Sequence, residues 1–384
     1  MIRKITLAFL AAVASLIVLC VVAVVIVRRP TPPTFRQASP DRPPRLPCDE
    51  AAHFDVQSEW WYYSGFLTTA AGREYGFELV FFKVFIPSQA RIAGLLPVNL
   101  LGNPLYPAHF AVSDLTAREH TFAERVNFPQ FWAAGAAEDR YRVWNGDWQA
   151  EGEWTMRGDP PTCSGGKAHH LQASSERYTL DLVLAPTKPA ALHGPDGRGV
   201  VQMGEAGTSF YYSYPEMKGD GFLWVDGRAQ TVTASAWMDH QWGSWQAHGG
   251  YAGWDWFSLR LDDGVQVMLF DFRDGAGGIQ AGSGGTWIAA DGSTTPLTMD
   301  DYALEVLDRW TSPTSGATYP VRWRVTVPAH GLDVTVEAIF PEQELTTELG
   351  PVYWEGAVIV RGSATGKGFV EMTGYNPQTR SAGP

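Results

Sequence analysis

The stretch Glu59-Trp-Trp-Tyr-Tyr-Ser-Gly-Phe-Leu-Thr-Thr69, then Ala71-Gly72, then Tyr75-Gly-Phe-Glu-Leu-Val-Phe-Phe-Lys-Val-Phe85, decides the fold class. Aromatic and β-branched residues stand on both sides of a glycine turn, which is strand composition around a hairpin. Successive side chains of a strand alternate faces, so Glu59, Trp61 and Tyr63 share one side and Trp60 and Tyr62 the other. Such a cluster is either a strand buried on both faces or the lining of a pocket. The pattern recurs at Tyr178 to Ala185, Trp254 to Leu261 and Val265 to Arg273, with further breakers at Asp226-Gly227, Asp263-Gly264 and Asp291-Gly292. No long amphipathic helix reads out after residue 54, so the body is all-β, with sandwich and barrel both open.

The chain also echoes itself. Trp61 to Leu67 leads through Gly72 to Leu79-Val-Phe-Phe-Lys83, and Trp254 to Leu261 leads through Gly264 to Met268-Leu-Phe-Asp-Phe-Arg273. Two related β-domains would give this repetition, and so would any two hairpins. A boundary between about Pro215 and Phe222 divides the body into a first domain over 54–220 and a second over 221–384.

Residues 1–29 differ from the rest. Ile5 to Val27 is apolar apart from Thr6 and Ser15, between Arg3-Lys4 and Arg28-Arg29. About 20 helical residues span a bilayer core, so this segment is expected to be an uncleaved transmembrane helix. Residues 30–53 are rich in Pro and Arg and read as a semi-extended spacer. The expected location of the body is therefore extracytoplasmic, on the periplasmic side of an inner membrane. A net charge of −12 argues against a nucleic-acid partner. With 45% hydrophobic and 18% charged residues over 384, the chain can bury a large core. Of its 3 Cys, Cys20 lies in the apolar run. Outside the cytoplasm Cys48 and Cys163 are free to pair as one disulfide, although two buried thiols would read the same way. The scattered histidines and the lack of C-x-x-C or H-E-x-x-H give no metal site, and no cofactor motif is present.

Three clusters concentrate polar chemistry among aromatics. The first is Glu59 to Tyr63. The second, Trp237-Met-Asp239-His240-Gln241-Trp242, puts Trp237, Asp239 and Gln241 on one strand face and His240 and Trp242 on the other, unless it is an ordinary hydrogen-bonded turn. In the third, Trp254-Asp255-Trp256, a carboxylate bracketed by indoles is costly to bury unless it is paired, protonated or at a site. An Arg across the sheet is the plain explanation. Trp354-Glu355-Gly356 is a weaker relative. Aromatic strands with a few acids suit either a carbohydrate enzyme or a protein that encloses an apolar ligand.

Glu59-Trp-Trp-Tyr62, Ala108-His-Phe110, Tyr211-Tyr-Ser213, Ala236-Trp-Met-Asp-His240 with Trp242-Gly243, Gly253-Trp-Asp-Trp256, Leu261-Asp-Asp-Gly264, Trp310-Thr-Ser-Pro313, Tyr353-Trp-Glu-Gly356 and Glu371-Met-Thr-Gly-Tyr375 together resemble the carotenoid 1,2-hydratase (hydroxyneurosporene synthase) family and its AttH-like secreted relatives. The resemblance spans about Asp49 to Tyr375. It implies two lipocalin-like antiparallel β-barrels and, in hydratase members, cofactor-free addition of water to a terminal alkene. On that basis Asp255 is the expected acid, Asp239 and His240 the water-orienting pair, and Trp242 a cation-stabilising ring. Glu59, Trp60, Trp61, Tyr62, Tyr211, Tyr212, Trp237, Trp254, Trp256, Trp354 and Glu355 are expected to line a pocket for a carotenoid, another polyene or a lipid. The alternative is a non-catalytic lipid carrier working with an ABC-type transporter permease.

Overall fold

The computed structural model describes residues 35–86, 91–92, 96–97, 102–158, 162–203, 207–245, 251–347 and 350–376. The expected membrane helix over 1–29 lies outside these residues. Among the described residues, no helix is long and apolar enough to cross a membrane. The first part of the chain forms β1 (Ser58–Thr69), β2 (Glu74–Val84), β3 (Arg91–Ile92), β4 (Leu96–Pro97), β5 (Tyr106–Asp114), β6 (Glu119–Asn127), β7 (Ala134–Ala136), β8 (Arg142–Asn145), β9 (Trp148–Arg157), β10 (Thr162–Ser174), β11 (Tyr178–Pro186), β12 (Ala191–Leu192), β13 (Val200–Gln202), β14 (Gly207–Val225) and β15 (Arg228–Trp245). The remainder forms β16 (Gly253–Leu261), β17 (Gln266–Arg273), β18 (Gly284–Ile288), β19 (Thr294–Thr298), β20 (Ala303–Thr311), β21 (Thr318–Val327), β22 (Leu332–Ala338), β23 (Glu344–Leu345), β24 (Tyr353–Gly362) and β25 (Gly366–Met372). The chain is all-β, as expected, with short 3-10 turns as its only described helical pieces.

Two antiparallel, barrel-like sheets result. The first runs β6-β5-β2-β1-β15-β14-β11-β10-β9-β8-β7 with β12 and β13 on β14, and the second runs β19-β18-β17-β16-β25-β24-β22-β21-β20 with β23 on β24. The first curls until its edges meet. There the buried Asn145 of β8 donates to the carbonyls of Tyr106 (2.7 Å) and Arg125 (3.2 Å) and accepts from Asn127 (2.6 Å). The turns fall at the breakers read from the sequence, where Gly72, Gly227, Gly264 and Gly292 all have positive φ. The two echoing hairpins lie one in each sheet, as β1–β2 and β16–β17.

Strand alternation then builds three apolar layers. Trp61, Tyr63, Phe77, Leu79, Met238 and Trp242 fill the first barrel. Phe257, Leu259, Trp323, Trp354, Val358 and Met372 fill the second. The opposite faces of the same strands, through Tyr62, Val80, Trp237, Trp256, Phe270 and Phe369, pack the two sheets against each other. Gly76 allows close approach at this layer, since a Cβ there would sit 3.3 Å from the Phe369 ring.

Two boundaries differ from the sequence reading. β14 runs straight through Pro215 to Phe222, absorbing the proline in a register shift between Tyr214 and Met217, and the chain changes sheets between Trp245 and Gly253. A proline at a bulge does not end a strand, and β14 continues past the expected border to Val225. The segment expected as a spacer is also docked from residue 36 onward. Arg36 pairs with Asp55 at 2.6 Å, and Ala38, Ala51 and Ala52 join the first core. Glu50 is 2% exposed and accepts from the Trp154 indole and the Tyr214 hydroxyl. Cys48 and Cys163 form a disulfide that ties this segment to β10.

That disulfide closes a separation of 115 residues, and cross-linking so long a loop restricts the unfolded chain. Replacing both cysteines by serine is expected to lower the unfolding free energy by about 2–5 kcal/mol. Denaturant titration of the two proteins checks this, and identical midpoints would contradict it.

Candidate functional site

A cavity of about 410 Å³ lies between the two sheets and draws its wall from both. Its apolar lining comes from Trp60, Val80 and Phe82 on one side and Trp254, Trp256, Phe270 and Phe272 on the other. Each is the outward member of an alternating strand. The cavity's acids are Glu78, Glu124, Asp239 and Glu371, with Tyr62, Tyr211, Tyr353 and His109 among them.

Tyrosine and glutamate side chains cross between the sheets reciprocally. Tyr62 of β1 donates to Glu355 of β24 at 2.5 Å, and Tyr353 of β24 donates to Glu78 of β2 at 3.0 Å. With its proton given to Glu78, the Tyr353 oxygen accepts from His109 Nδ1 at 2.7 Å. Glu355 and Glu371 stand directly opposite each other on β24 and β25. Like charges at such a position repel, so the pair favours holding a proton. Glu371 accepts a 3.2 Å bond from the Trp254 indole. Glu78 Oε2 and Glu355 Oε2 are buried and have no hydrogen-bond partner among the described residues.

The electrostatics follow from this crowding. Burial pushes the Glu78 carboxyl up to about 8, opposed by the Tyr353 hydroxyl and reinforced by Glu371. Burial also drives Glu355 well above the usual carboxylate range, helped by the charges of Glu78 and Glu371. Glu371 is raised to about 7 by burial, against the Trp254 hydrogen bond and with the charge of Asp239.

Asp239 is differently held. Its Oδ1 accepts from the Ser213 hydroxyl and from the Trp237 indole at 2.7 Å, while Oδ2 accepts from Tyr211 at 2.8 Å. Burial lifts it to about 7, against these three donors. His193 Nε2 lies 2.6 Å from Ser213 Oγ and its Nδ1 lies 2.8 Å from Thr286 Oγ1, so the ring orients the serine from behind. Burial pushes His193 down to about 3, which keeps it neutral.

The alternation sorts the residues expected from sequence. Trp60, Tyr62, Tyr211, Asp239, Trp254 and Trp256 line the cavity. Trp237 and Glu355 stand on the same strand faces and bond to lining residues Asp239 and Tyr62. The others point elsewhere. Trp61, Tyr212 and Trp242 are first-barrel core, and Trp354 is second-barrel core with its indole on the Pro341 carbonyl. Asp255 faces away from its two tryptophans, into the second barrel. It pairs there with Arg273 at 3.0 Å and accepts from Tyr375 at 2.9 Å. Burial raises it to about 6 in spite of Arg273. The cross-sheet Arg accounts for it, and the cavity's acid lies elsewhere.

Glu59 and His240 form a closed ionic cluster inside the first barrel. Glu59 meets Lys83 Nζ at 2.9 Å, His53 Nδ1 at 2.8 Å and His240 Nε2 at 2.9 Å. Burial would raise Glu59, but Lys83 and His53 hold it well below the usual range. His53, Glu59 and His240 bring ligand-type atoms within 4.8 Å of one another. The Lys83 Nζ already supplies a cation to this group, so it suits an ion network better than a metal.

Sequence reading missed Glu78, Tyr353, Glu371, His109 and Ser213 as site residues. Four of them sit inside the motifs that carry the family resemblance. Glu78 does not, and its signal was a lone acid in the apolar run Phe77 to Phe82.

The fold and site define a lipocalin-like double-barrel protein with an acid-bearing apolar cavity between its sheets. The AttH-like family's sequence profile matches residues 37–375, and the chain belongs to that family. An AttH protein of Nitrosomonas europaea is 29% identical with a TM-score of 0.75, over 89% of this chain and 100% of that one. Kievitone hydratase from Nectria haematococca shares the fold at 19% identity and a TM-score of 0.65, over 89% and 97% of the two chains. No curated protein matches the chain.

A carboxyl raised in the folded state keeps a proton that the unfolded chain has released, so its stabilisation is complete at low pH and lost as pH rises through the folded value. For Glu78 that window runs from its ordinary 4.5 to about 8. Thermal midpoints are expected to fall between about pH 6.5 and pH 8.5. Glu78→Gln should flatten the slope. Parallel profiles for the two proteins would contradict the assignment.

Proposed function

We propose that the protein is a hydratase of the carotenoid 1,2-hydratase type, which takes an apolar polyene or lipid into the inter-sheet cavity and adds water to a terminal carbon–carbon double bond. The observation that carries this reading is Glu78: a cavity-lining carboxyl, 2% exposed, raised to about 8, with one oxygen unpartnered among the described residues. Such a group is largely protonated at neutral pH and can act as a general acid. A carrier has no need of it, because an unpaired buried acid only costs stability. Kievitone hydratase, on the same fold, is itself a hydratase by name.

In this mechanism the Glu78 O–H bond breaks and its proton joins the less substituted alkene carbon. The tertiary cation left behind lies against the faces of Trp254 and Trp256, each contributing roughly 0.5–2 kcal/mol. Glu371, poised near neutrality, takes a proton from water as the water oxygen bonds to the cation. Glu78 and Glu371 have then exchanged protonation states, and return of that proton through water restores the site. Asp239 keeps its three donors and fixes Tyr211 and Trp237 around the cavity. This reading puts the body outside the cytoplasm, tethered through residues 1–29, and is supported by the Cys48–Cys163 disulfide, which favours an oxidising compartment.

The test is turnover of an acyclic carotenoid in detergent by parent and variants. Glu78→Gln keeps shape and removes the acid, so the rate should fall by about 10²-fold or more while ligand binding persists. Asp255→Asn should instead lower thermal stability, with rate and binding following the folded fraction. A folded Glu78→Gln protein that hydrates at the parent rate removes Glu78 from the mechanism.

A further inference from the structure

The cavity wall has acids and no strong base. Glu78, Glu124, Asp239 and Glu371 are on it, whereas no Lys or Arg is among its described lining residues. Basic side chains near the inter-sheet layer are engaged elsewhere: Lys83 with Glu59, Arg273 with Asp255, Lys367 with Glu74 and Arg260 with Ser235. A ligand with a carboxylate or phosphate inside this space would meet carboxyl groups in an apolar setting, where like charges are poorly screened and an unpaired anion is costly to desolvate.

The polar atoms left over favour a different head group. Glu78 Oε2 is buried without a partner among the described residues, and Tyr353 already gives its proton to the other oxygen of the same carboxyl. A hydroxyl both donates and accepts, so it satisfies such an oxygen whether the carboxyl is ionised or protonated. An anionic head group can only accept, so it leaves an ionised carboxyl unsatisfied, and no Lys or Arg among the described lining residues balances its charge.

We propose that the inter-sheet cavity selects neutral, hydroxyl-bearing apolar molecules and rejects anionic lipids such as fatty acids and phospholipids. This rests on the apolar-ligand reading above and goes beyond it by fixing the charge class of the occupant.

All-trans-retinol and all-trans-retinoate carry the same polyene and differ at the head group, so quenching of tryptophan fluorescence on the full chain compares them directly. At about pH 8 the free retinoate is ionised, well above an ordinary carboxyl value of about 4.3. Retinol is expected to bind at least tenfold more tightly. Glu371→Gln and Glu78→Gln, tested separately, should each narrow that ratio by strengthening retinoate. Equal or tighter binding of retinoate by the parent protein overturns the charge selection and leaves hydration of a neutral alkene standing. A tenfold preference that neither variant changes overturns the assignment of selection to these acids. Binding of neither polyene overturns this proposal together with the apolar-ligand reading.

Discussion

The two sheets are joined by an exchange of tyrosine hydroxyls for carboxyl oxygens, Tyr62 to Glu355 and Tyr353 to Glu78. Each bond crosses from one barrel to the other, so the acids cannot be placed by either barrel alone. The surrounding layer of Phe66, Val80, Trp237, Trp256, Phe270 and Phe369 excludes water. That exclusion raises the carboxyls, and the raised carboxyls can remain buried because protonation removes their charge. Packing, protonation and chemistry at the cavity therefore stem from one arrangement.

The first barrel holds a buried acid in the opposite way. Glu59 is as deeply buried as Glu78, yet Lys83, His53 and His240 surround it and hold it ionised. Its charge is balanced, both oxygens are bonded, and it is not on the wall of the inter-sheet cavity. Glu78 has a tyrosine partner, an oxygen with no partner among the described residues, and a cavity in front of it. The first arrangement stabilises a core; the second keeps a transferable proton beside apolar space.

Much of the fold was legible because strand physics is local. The alternation of Glu59 to Tyr63 and of Trp237 to Trp242 placed each side chain on the observed face, and the Gly turns marked the hairpins. What alternation leaves open is which neighbour a face meets. Barrel interior and inter-sheet layer are both aromatic, so Trp61 and Trp60 look alike in sequence although one is core and the other cavity wall. Asp255 was misplaced for that reason: its flanking indoles lie on the opposite face, and Arg273 on the next strand is its partner. Glu78 was passed over because its value comes from Tyr353, 275 residues away in the chain, and from Glu371 beyond it. The docking of Glu50 and the passage of β14 through Pro215 likewise depend on contacts distant in sequence.

The chemistry at the cavity needs a glutamate that carries its proton at neutral pH. Carboxyl carbon chemical shifts of the protein labelled at glutamate, followed through pH, read that proton. One resonance, missing from the Glu78→Gln spectrum, is expected to titrate with a midpoint of about 8. A Glu78 resonance that titrates at the ordinary carboxyl value of about 4.3 would overturn the assignment.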